Sequence, residues 1–413
     1  MKYLIPGLLV LSSVAQASPI PKNENIAELI EGNRPVTSLV EIERSGLNAG
    51  QTALDLWSGS YWPHYSGSIA SRYRDPSFMP LIKKEIQYND MKKLFSAMPL
   101  MSYGNQTDNL SPAEKYDMLV GDSMMSLTNY AWQLGEKTKK GDKVATWRGL
   151  CDGWASASQM MPRPVKEVTL NTPHGQPITF FPEDIKALGT LLYAKGQSAP
   201  IFMGKRCFSK LLAFTPGCAE VNAGAFHQAL VNRVGVMKKT FIGDISPGGE
   251  VWNYPVKNYK FVFTNVFTDE ESSDFRTVME NYSKEDKTKK FIGDRHKNTR
   301  YIVGVKAVVN YMDMRMTNLT EADGSAPDKL LEKTYEYDLE LDSQFNILGG
   351  ENPGKNLPDF MWAPKDQTYP LSVAEEQGLN LHLSGMAQIS SKAGQPLSSV
   401  IERLFEESKE ASN

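Results

Sequence analysis

The order in which helix and strand patterns occur along the chain limits its fold class. The run Ser111-Pro112-Ala113-Glu114 is a strong helix start, because serine can cap the helix, proline fits its first turn and glutamate completes a capping box. From about Val262 the sequence becomes richer in strand patterns, as in residues 301–311 and 335–341. Helices followed by a strand-rich half predict an α+β fold.

Further elements are predicted around these two regions. A helix is expected from Cys151 to about Met161, where Pro162 and Pro164 end it. The other predictions are a hairpin of residues 165–170 and 178–181, a helix from Pro182 to about Lys195, and two successive strands over residues 225–234 and 239–245.

Length and charge bound the class of protein. With 413 residues the chain can form two packed domains or one elaborated domain. The net charge of −3 gives no electrostatic footprint for nucleic acid or for an anionic membrane. Neither partner is therefore expected.

The first residues resemble a secretory leader. A basic start, a short apolar stretch and the small-x-small sequence Ala15-Gln16-Ala17 predict a signal peptide over residues 1–17. The apolar stretch is too short to span a bilayer, so the mature protein is expected to be exported and soluble, either secreted or periplasmic. Beyond it we expect an N-terminal segment over 18–110, which is a candidate pro-segment, a catalytic core over 111–262 and a β-rich region over 263–413.

Export helps to sort the three cysteines. Cys207 and Cys218 lie at a spacing that a disulfide closes easily in an oxidising compartment, which leaves Cys151 as the free thiol. No cysteine or histidine spacing indicates zinc, and the acidic run Asp269-Glu270-Glu271 lacks an EF-hand pattern. No metal or cofactor is expected.

Cys151 has the sequence context of a nucleophile. It is predicted at the first position of a helix, where unpaired N–H groups and roughly half a positive charge favour a thiolate and can stabilise an oxyanion. Gly149 and Gly153 are expected to keep the approach to the sulfur open. A buried structural cysteine is the alternative interpretation.

A nucleophilic cysteine needs a base and a group that orients the base. Of the five histidines, His227 follows small residues at the start of a predicted strand, and Asp244 lies on the next predicted strand. A helix with cysteine, then strands with histidine and aspartate, is the order of papain-like acyl-transfer sites. The sequence thus predicts a Cys151–His227–Asp244 triad on an antiparallel sheet, although Asp244 could also be a turn residue. The histidines that we expect to have surface or packing roles are His64, His174, His296 and His382.

Several strings resemble the transglutaminase elicitor family, known from secreted oomycete cell-wall proteins. They are Cys151-Asp152-Gly153-Trp154-Ala155, the run from Cys218 to His227, Glu250-Val251-Trp252-Asn253-Tyr254-Pro255-Val256-Lys257, Trp57-Ser58-Gly59-Ser60-Tyr61-Trp62-Pro63, and Pro358-Asp359-Phe360-Met361-Trp362. The similarity spans about residues 55–365. The segment Val251–Lys257 corresponds to the one that plants perceive in the oomycete proteins, with Tyr254 and Lys257 in place of the usual glutamine and arginine.

The resemblance implies a protein-glutamine γ-glutamyltransferase that joins a glutamine donor to a lysine or polyamine through a thioester on Cys151. Trp154, Trp252 and Asn253 are candidate substrate-binding residues, and Trp62 is a further candidate wall that keeps water off the thioester. Core packing is the alternative role of the indoles. Two other functions stay open: a secreted papain-like cysteine peptidase or amidase, and a non-catalytic surface or effector protein recognised by a host receptor.

Overall fold

A computed structural model describes residues 19–78, 88–97, 106–196, 200–206, 220–246, 249–282, 295–314, 328–353, 356–365 and 397–409. The predicted signal peptide, the Cys207–Cys218 disulfide and His382 lie outside these ranges, so they stay predictions. Within the described ranges, none of the helices combines the length and the apolar character that a membrane span requires.

The helices are concentrated before residue 240. Those among the described residues are α1 (Leu39–Arg44), α2 (Tyr88–Ala97), α3 (Pro112–Leu119), α4 (Ser126–Thr138), α5 (Cys151–Met160), α6 (Pro182–Gly196), α7 (Ala223–Ala229), α8 (Phe275–Val278) and α9 (Leu397–Ser408). Helix α7 continues as a π-helix over Leu230–Val236. Short 3-10 turns include His64–Ser66 and Ser68–Ala70.

The strands form one large antiparallel sheet and a separate hairpin. They are β1 (Ala49–Gln51), β2 (Val168–Asn171), β3 (Pro177–Phe180), β4 (Ile201–Gly204), β5 (Ile242–Asp244), β6 (Asn253–Thr264), β7 (Glu271–Ser272), β8 (Glu280–Asn281), β9 (Tyr301–Met312), β10 (Leu330–Leu341), β11 (Ile347–Glu351) and β12 (Phe360–Ala363). In the described part of the large sheet the order is β11-β10-β9-β6-β5-β12-β4; β1 and β7 also pair with β6, β8 pairs with β9, and β2 and β3 form the hairpin.

Two hydrophobic cores flank the sheet. The first core contains Trp57, Trp62, Trp154 and much of α6; the second core contains Phe226, Phe261, Tyr337 and the inner side of α7. Along β12, Phe360 and Trp362 belong to the first core and Met361 and Ala363 to the second. Since successive side chains of a strand point to opposite faces, the two cores lie on opposite faces of the sheet at β12.

The structure confirms most of the predicted elements. Ser111 caps α3 and Glu114 completes the capping box. Helices α5 and α6 and the long strands β9 and β10 also occur where expected.

The strand predicted over residues 225–234 is wrong. The segment is helical, and the side chain of Asn222 caps it by accepting a hydrogen bond from the Gly224 N–H. The apolar residues Phe226, Leu230 and Val234 recur every four positions, which is the period of a helix face. In the sequence, the small and apolar residues between these positions mask the helical period.

The N-terminal segment contributes to both cores. Trp57 and Trp62 are almost completely buried in the first core, and Leu39 and Ile42 lie in the second. Strand β1 pairs with β6 in the main sheet. The domain boundaries and the role of 18–110 as a pro-segment stay predictions. In the described residues this segment is packed as part of the fold.

Candidate thiol active site

Cys151 is the first residue of α5, as predicted. The glycines beside it have a different role from the expected one. A Cβ on Gly149 would lie 2.3 Å from the Tyr61 carbonyl oxygen, and one on Gly153 would lie 2.1 Å from the Thr190 carbonyl oxygen. Both glycines therefore permit close packing of α5, and they do not open a path to the sulfur.

The sulfur of Cys151 has two polar neighbours from the start of β6. The Asn253 Nδ2 donates to Sγ at 3.4 Å. The thiol in turn donates to the Val251 carbonyl oxygen at 3.7 Å, within the range of a weak sulfur hydrogen bond. Only 7% of Cys151 is exposed, so the resting thiol is covered by this segment.

The same strand edge carries an aspartate whose charge acts on the thiol. Asp244 ends β5 directly opposite Asn253 in the antiparallel register, so the two side chains share one face. Its Oδ1 accepts hydrogen bonds from the Trp252 N–H at 3.0 Å and the Ser246 N–H at 3.4 Å. Its Oδ2 is buried without a hydrogen-bond partner among the described residues. That oxygen is therefore available to accept a proton.

Burial dominates the electrostatics of both groups. Desolvation, reinforced by the nearby carboxylate of Asp152, raises the pKa of Cys151 to about 11, and hydrogen bonds from Asn253 oppose this increase. Desolvation also raises the pKa of Asp244 to about 7, against the hydrogen bonds from the Trp252 and Ser246 N–H groups. The resting site therefore holds a neutral thiol beside a carboxyl group that changes charge near neutral pH.

Aromatic side chains surround the thiol. Tyr61 and Trp252 make an edge-to-face contact with ring centroids 5.3 Å apart, and Trp154 and Tyr254 make another at 6.3 Å. Trp252 is half-buried, whereas Trp154 is fully buried and its indole N–H donates to the Trp57 carbonyl oxygen at 3.2 Å. Trp154 and Trp62 thus pack in the core, and Trp252 lies at the rim.

The structure does not bring His227 to Cys151. The His227 ring stacks on Phe261 at 4.1 Å in the second core, and its Nδ1 hydrogen-bonds the Tyr337 hydroxyl at 2.9 Å. Phe261 lies eight residues beyond Asn253 on β6, which is about 26 Å at roughly 3.3 Å per residue. His227 therefore cannot exchange a proton with the thiol in this structure. The structure does not show the predicted triad, because the segment expected to be a strand is a helix packed in the second core.

Another histidine lies closer to the start of α5. The His64 backbone N–H donates to the Arg148 carbonyl oxygen at 2.9 Å, three residues before Cys151. The ring is buried and neither nitrogen has a hydrogen-bond partner among the described residues. Burial lowers its pKa to about 4. The other described histidines are exposed His174 and half-buried His296.

Sequence reasoning missed two participants at the site. The indole N–H of Trp362 donates to Asn253 Oδ1 at 2.8 Å, and the Val251 carbonyl faces the sulfur. Trp362 belongs to one of the motifs quoted above, but its place beside Asn253 depends on the pairing of β12 with β5. Sequence alone does not reveal that pairing.

The described residues contain no group of three or more candidate metal ligands. Within the acidic run at 269–271, Glu271 pairs with Lys306 at 3.0 Å. The run thus contributes to a surface ion pair.

Comparison with known proteins shows the family and a similar fold. The family model described as "Transglutaminase elicitor" matches residues 37–386, so the chain belongs to that family. The structure is similar to the crystal structure of the GP42 transglutaminase from Phytophthora sojae, with a TM-score of 0.57 and 20% sequence identity over 89% of this chain and 99% of the other. A search of curated proteins found no match.

Proposed function

We propose that this protein is an exported protein-glutamine γ-glutamyltransferase, with Cys151 as its nucleophile and Asp244 as its proton carrier. The observation that carries the proposal is the convergence of a helix-start thiol, a buried carboxyl group and two sulfur contacts at one strand edge. Family membership and the transglutaminase-like fold support it. A helix with cysteine packed on antiparallel strands is also the arrangement expected of a papain-like core.

The first half-reaction forms a thioester. Asp244 as carboxylate accepts the thiol proton, and the thiolate attacks the carboxamide carbon of a glutamine side chain. The C–N bond then breaks and the leaving nitrogen takes the proton from Asp244, which releases ammonia. The Cys151 N–H at the start of α5 is suited to stabilise the oxyanion of the tetrahedral intermediate.

The second half-reaction transfers the acyl group. A lysine or polyamine amine attacks the thioester carbon and gives a proton to Asp244, the C–S bond breaks, and the proton returns to sulfur. The net reaction converts one carboxamide and one primary amine into a substituted amide and ammonia. Trp252 at the rim is suited to limit access of water, which would otherwise hydrolyse the thioester.

The resting site requires an opening step before reaction. The Val251 carbonyl accepts the thiol hydrogen, so it stabilises the neutral thiol and opposes the thiolate. Burial and the nearby Asp152 carboxylate raise the pKa of Cys151 to about 11 and so oppose the thiolate as well. Movement of the Val251–Trp252 segment would expose the sulfur and remove the opposing carbonyl.

The test is incorporation of a labelled primary amine into a glutamine-containing protein by residues 18–413. Cys151→Ala is the control. Incorporation by the wild type that is lost in Cys151→Ala supports the proposal. Hydrolysis without incorporation indicates the peptidase or amidase alternative, and inactivity in both assays indicates a non-catalytic surface or effector protein.

Export rests on the predicted leader at 1–17 and on the family. It is tested by N-terminal sequencing of protein recovered outside the cytoplasm, with Ser18 as the expected first residue. Recognition of Val251–Lys257 by a host receptor is a separate prediction. In the fold this segment begins β6 and includes Asn253, so its first function here would be structural support of the thiol.

A further inference from the structure

Asn253 and Trp362 form a hydrogen-bonded chain that ends at the catalytic sulfur. Trp362 Nε1 lies 2.8 Å from Asn253 Oδ1, and Asn253 Nδ2 lies 3.4 Å from Cys151 Sγ. Both Asn253 and Trp362 are at least 95% buried. The chain therefore lies in a medium where water does not compete for its hydrogen bonds.

The chemistry of indole fixes the orientation of the Asn253 amide. An indole N–H can only donate a hydrogen bond, so the atom facing it must be the amide oxygen. The amide NH₂ is then directed at the sulfur. If the amide were flipped, its NH₂ group would face the indole N–H, donor against donor. Its oxygen would then face the thiol.

A donor that faces sulfur has unequal effects on thiol and thiolate. A hydrogen bond to an ionised acceptor is about twice as strong as one to a neutral acceptor. Asn253 also donates a backbone hydrogen bond to the sulfur, and both contacts lower the pKa of Cys151. They oppose the effects of burial and of the Asp152 carboxylate.

We propose that Trp362 acts as a positioning residue that holds the Asn253 carboxamide with its N–H towards Cys151, and that Asn253 thereby stabilises the thiolate that attacks substrate. The proposal rests on the proposed function and assigns Asn253 to the nucleophile, where the sequence had suggested substrate binding. The other titratable groups facing the sulfur are Asp152 on α5, Asp244 on β5, Tyr61 before α2 and Tyr254 on β6. None of these is altered by the test variants.

Two substitutions separate the roles of Asn253 and Trp362 in the hydrogen-bonded chain. Asn253→Asp keeps an oxygen for the Trp362 indole but replaces the donor to sulfur with a carboxylate oxygen. Trp362→Phe keeps an aromatic ring in the core but removes the N–H that fixes the amide. Trp57→Phe is the matched control, because Trp57 is also fully buried in the first core and its indole N–H donates to a backbone carbonyl, that of Met161.

The readout is the pH dependence of Cys151 alkylation by iodoacetamide, followed on the Cys151 peptide by mass spectrometry. We expect Asn253→Asp to raise the apparent thiol pKa by about one unit or more, so alkylation at a fixed lower pH slows about 10-fold. Trp362→Phe should slow it about 3-fold in the same direction, and Trp57→Phe should leave the profile unchanged. For amine incorporation, kcat should fall in both site variants while KM stays within about twofold.

An unchanged or lowered thiol pKa in Asn253→Asp would overturn the proposal. So would an equal shift in Trp57→Phe and Trp362→Phe, since that would indicate general loosening of the core. Thermal melting identifies variants that fail to fold. If Asn253→Asp does not fold, the thiol pKa of Trp362→Phe decides the test. Because alkylation needs no turnover, the shifts would establish the positioning pair even if wild type incorporated no amine, which would instead refute the proposed function.

Discussion

Cys151 and His227 are both buried, yet the two faces of the sheet give them different chemistry. Cys151 is 7% exposed and lies where β5 ends and β6 begins, with amide, carbonyl and carboxyl groups around it. His227 is 0% exposed and lies between Phe261 and Tyr337 in the second core. Burial moves both pKa values far from neutrality, but carboxyl groups also act on the thiol, whereas burial alone accounts for the pKa of His227. The order of catalytic residue types along the sequence is thus insufficient to identify the site. The ends of the strands determine which groups lie close enough to react together.

The largest contrast is expected in catalysis. Cys151→Ala should lower amine incorporation by about 10⁴-fold or more, because it removes the proposed covalent nucleophile. His227→Phe should stay within about threefold of wild type per folded molecule, because a phenyl ring can keep the stack on Phe261. Initial rates normalised to folded protein make the comparison. Loss of activity in His227→Phe comparable to that in Cys151→Ala would restore His227 to the active site.

The next effect concerns Asp244, the proposed proton carrier. Asp244→Asn should lower turnover by about 10²–10³-fold, the range of general acid–base catalysis. In wild type the rate should rise as pH passes through about 7, where Asp244 ionises, and the variant should lose this rise. Asp274→Asn is the control, since Asp274 caps α8 and Asn can also accept the Arg276 N–H hydrogen bond. If His64→Ala removes the pH dependence and Asp244→Asn keeps it, the base is His64.

Asp244 and His227 should make the free energy of unfolding depend on pH in opposite directions. Burial raises the Asp244 pKa from 3.8 to about 7. Its contribution to the free energy of unfolding is therefore complete below about pH 4 and is lost as the pH rises through 7. Burial lowers the His227 pKa from 6.5 to about 3. That contribution is complete above about pH 6.5 and is lost as the pH falls towards 3.

Urea unfolding from pH 3 to 8 tests this contrast. The stability of wild type relative to Asp244→Asn should fall by on the order of 3 kcal/mol between pH 4 and 7. Relative to His227→Phe, it should rise by a similar amount between pH 3 and 6.5. Parallel curves for either pair would show that the group is not desolvated as the structure indicates.

The smallest expected effect concerns access to the thiol. Trp252→Ala removes the edge contact with Tyr61 and should loosen the segment whose Val251 carbonyl covers the sulfur. Alkylation of Cys151 at pH 8 should then accelerate about 10-fold, the change expected if about 1.4 kcal/mol of closure is lost. Phe267→Ala removes an exposed aromatic beyond the opposite end of β6 and should have no effect. Slower alkylation in Trp252→Ala would mean that the indole assists the thiol.

Local sequence determined the elements whose signals are local. The capping box at Ser111, the prolines after α5 and the alternation in β9 and β10 act within a few residues, so their outcome does not depend on distant contacts. The position of Cys151 at the start of α5 belongs to this group. The family could likewise be recognised from short motifs, and the model match over residues 37–386 agrees.

Tertiary structure alone decided which groups meet the thiol. Asn253 and Asp244 face each other through the β5–β6 register, and Trp362 joins them because β12 pairs with the other edge of β5, more than 100 residues later in the chain. The same packing buried His227 on the opposite face, where the four-residue spacing of Phe226, Leu230 and Val234 favoured a helix. Sequence specifies these residues, but non-local pairing and burial determine their distances, their pKa values and hence their chemistry.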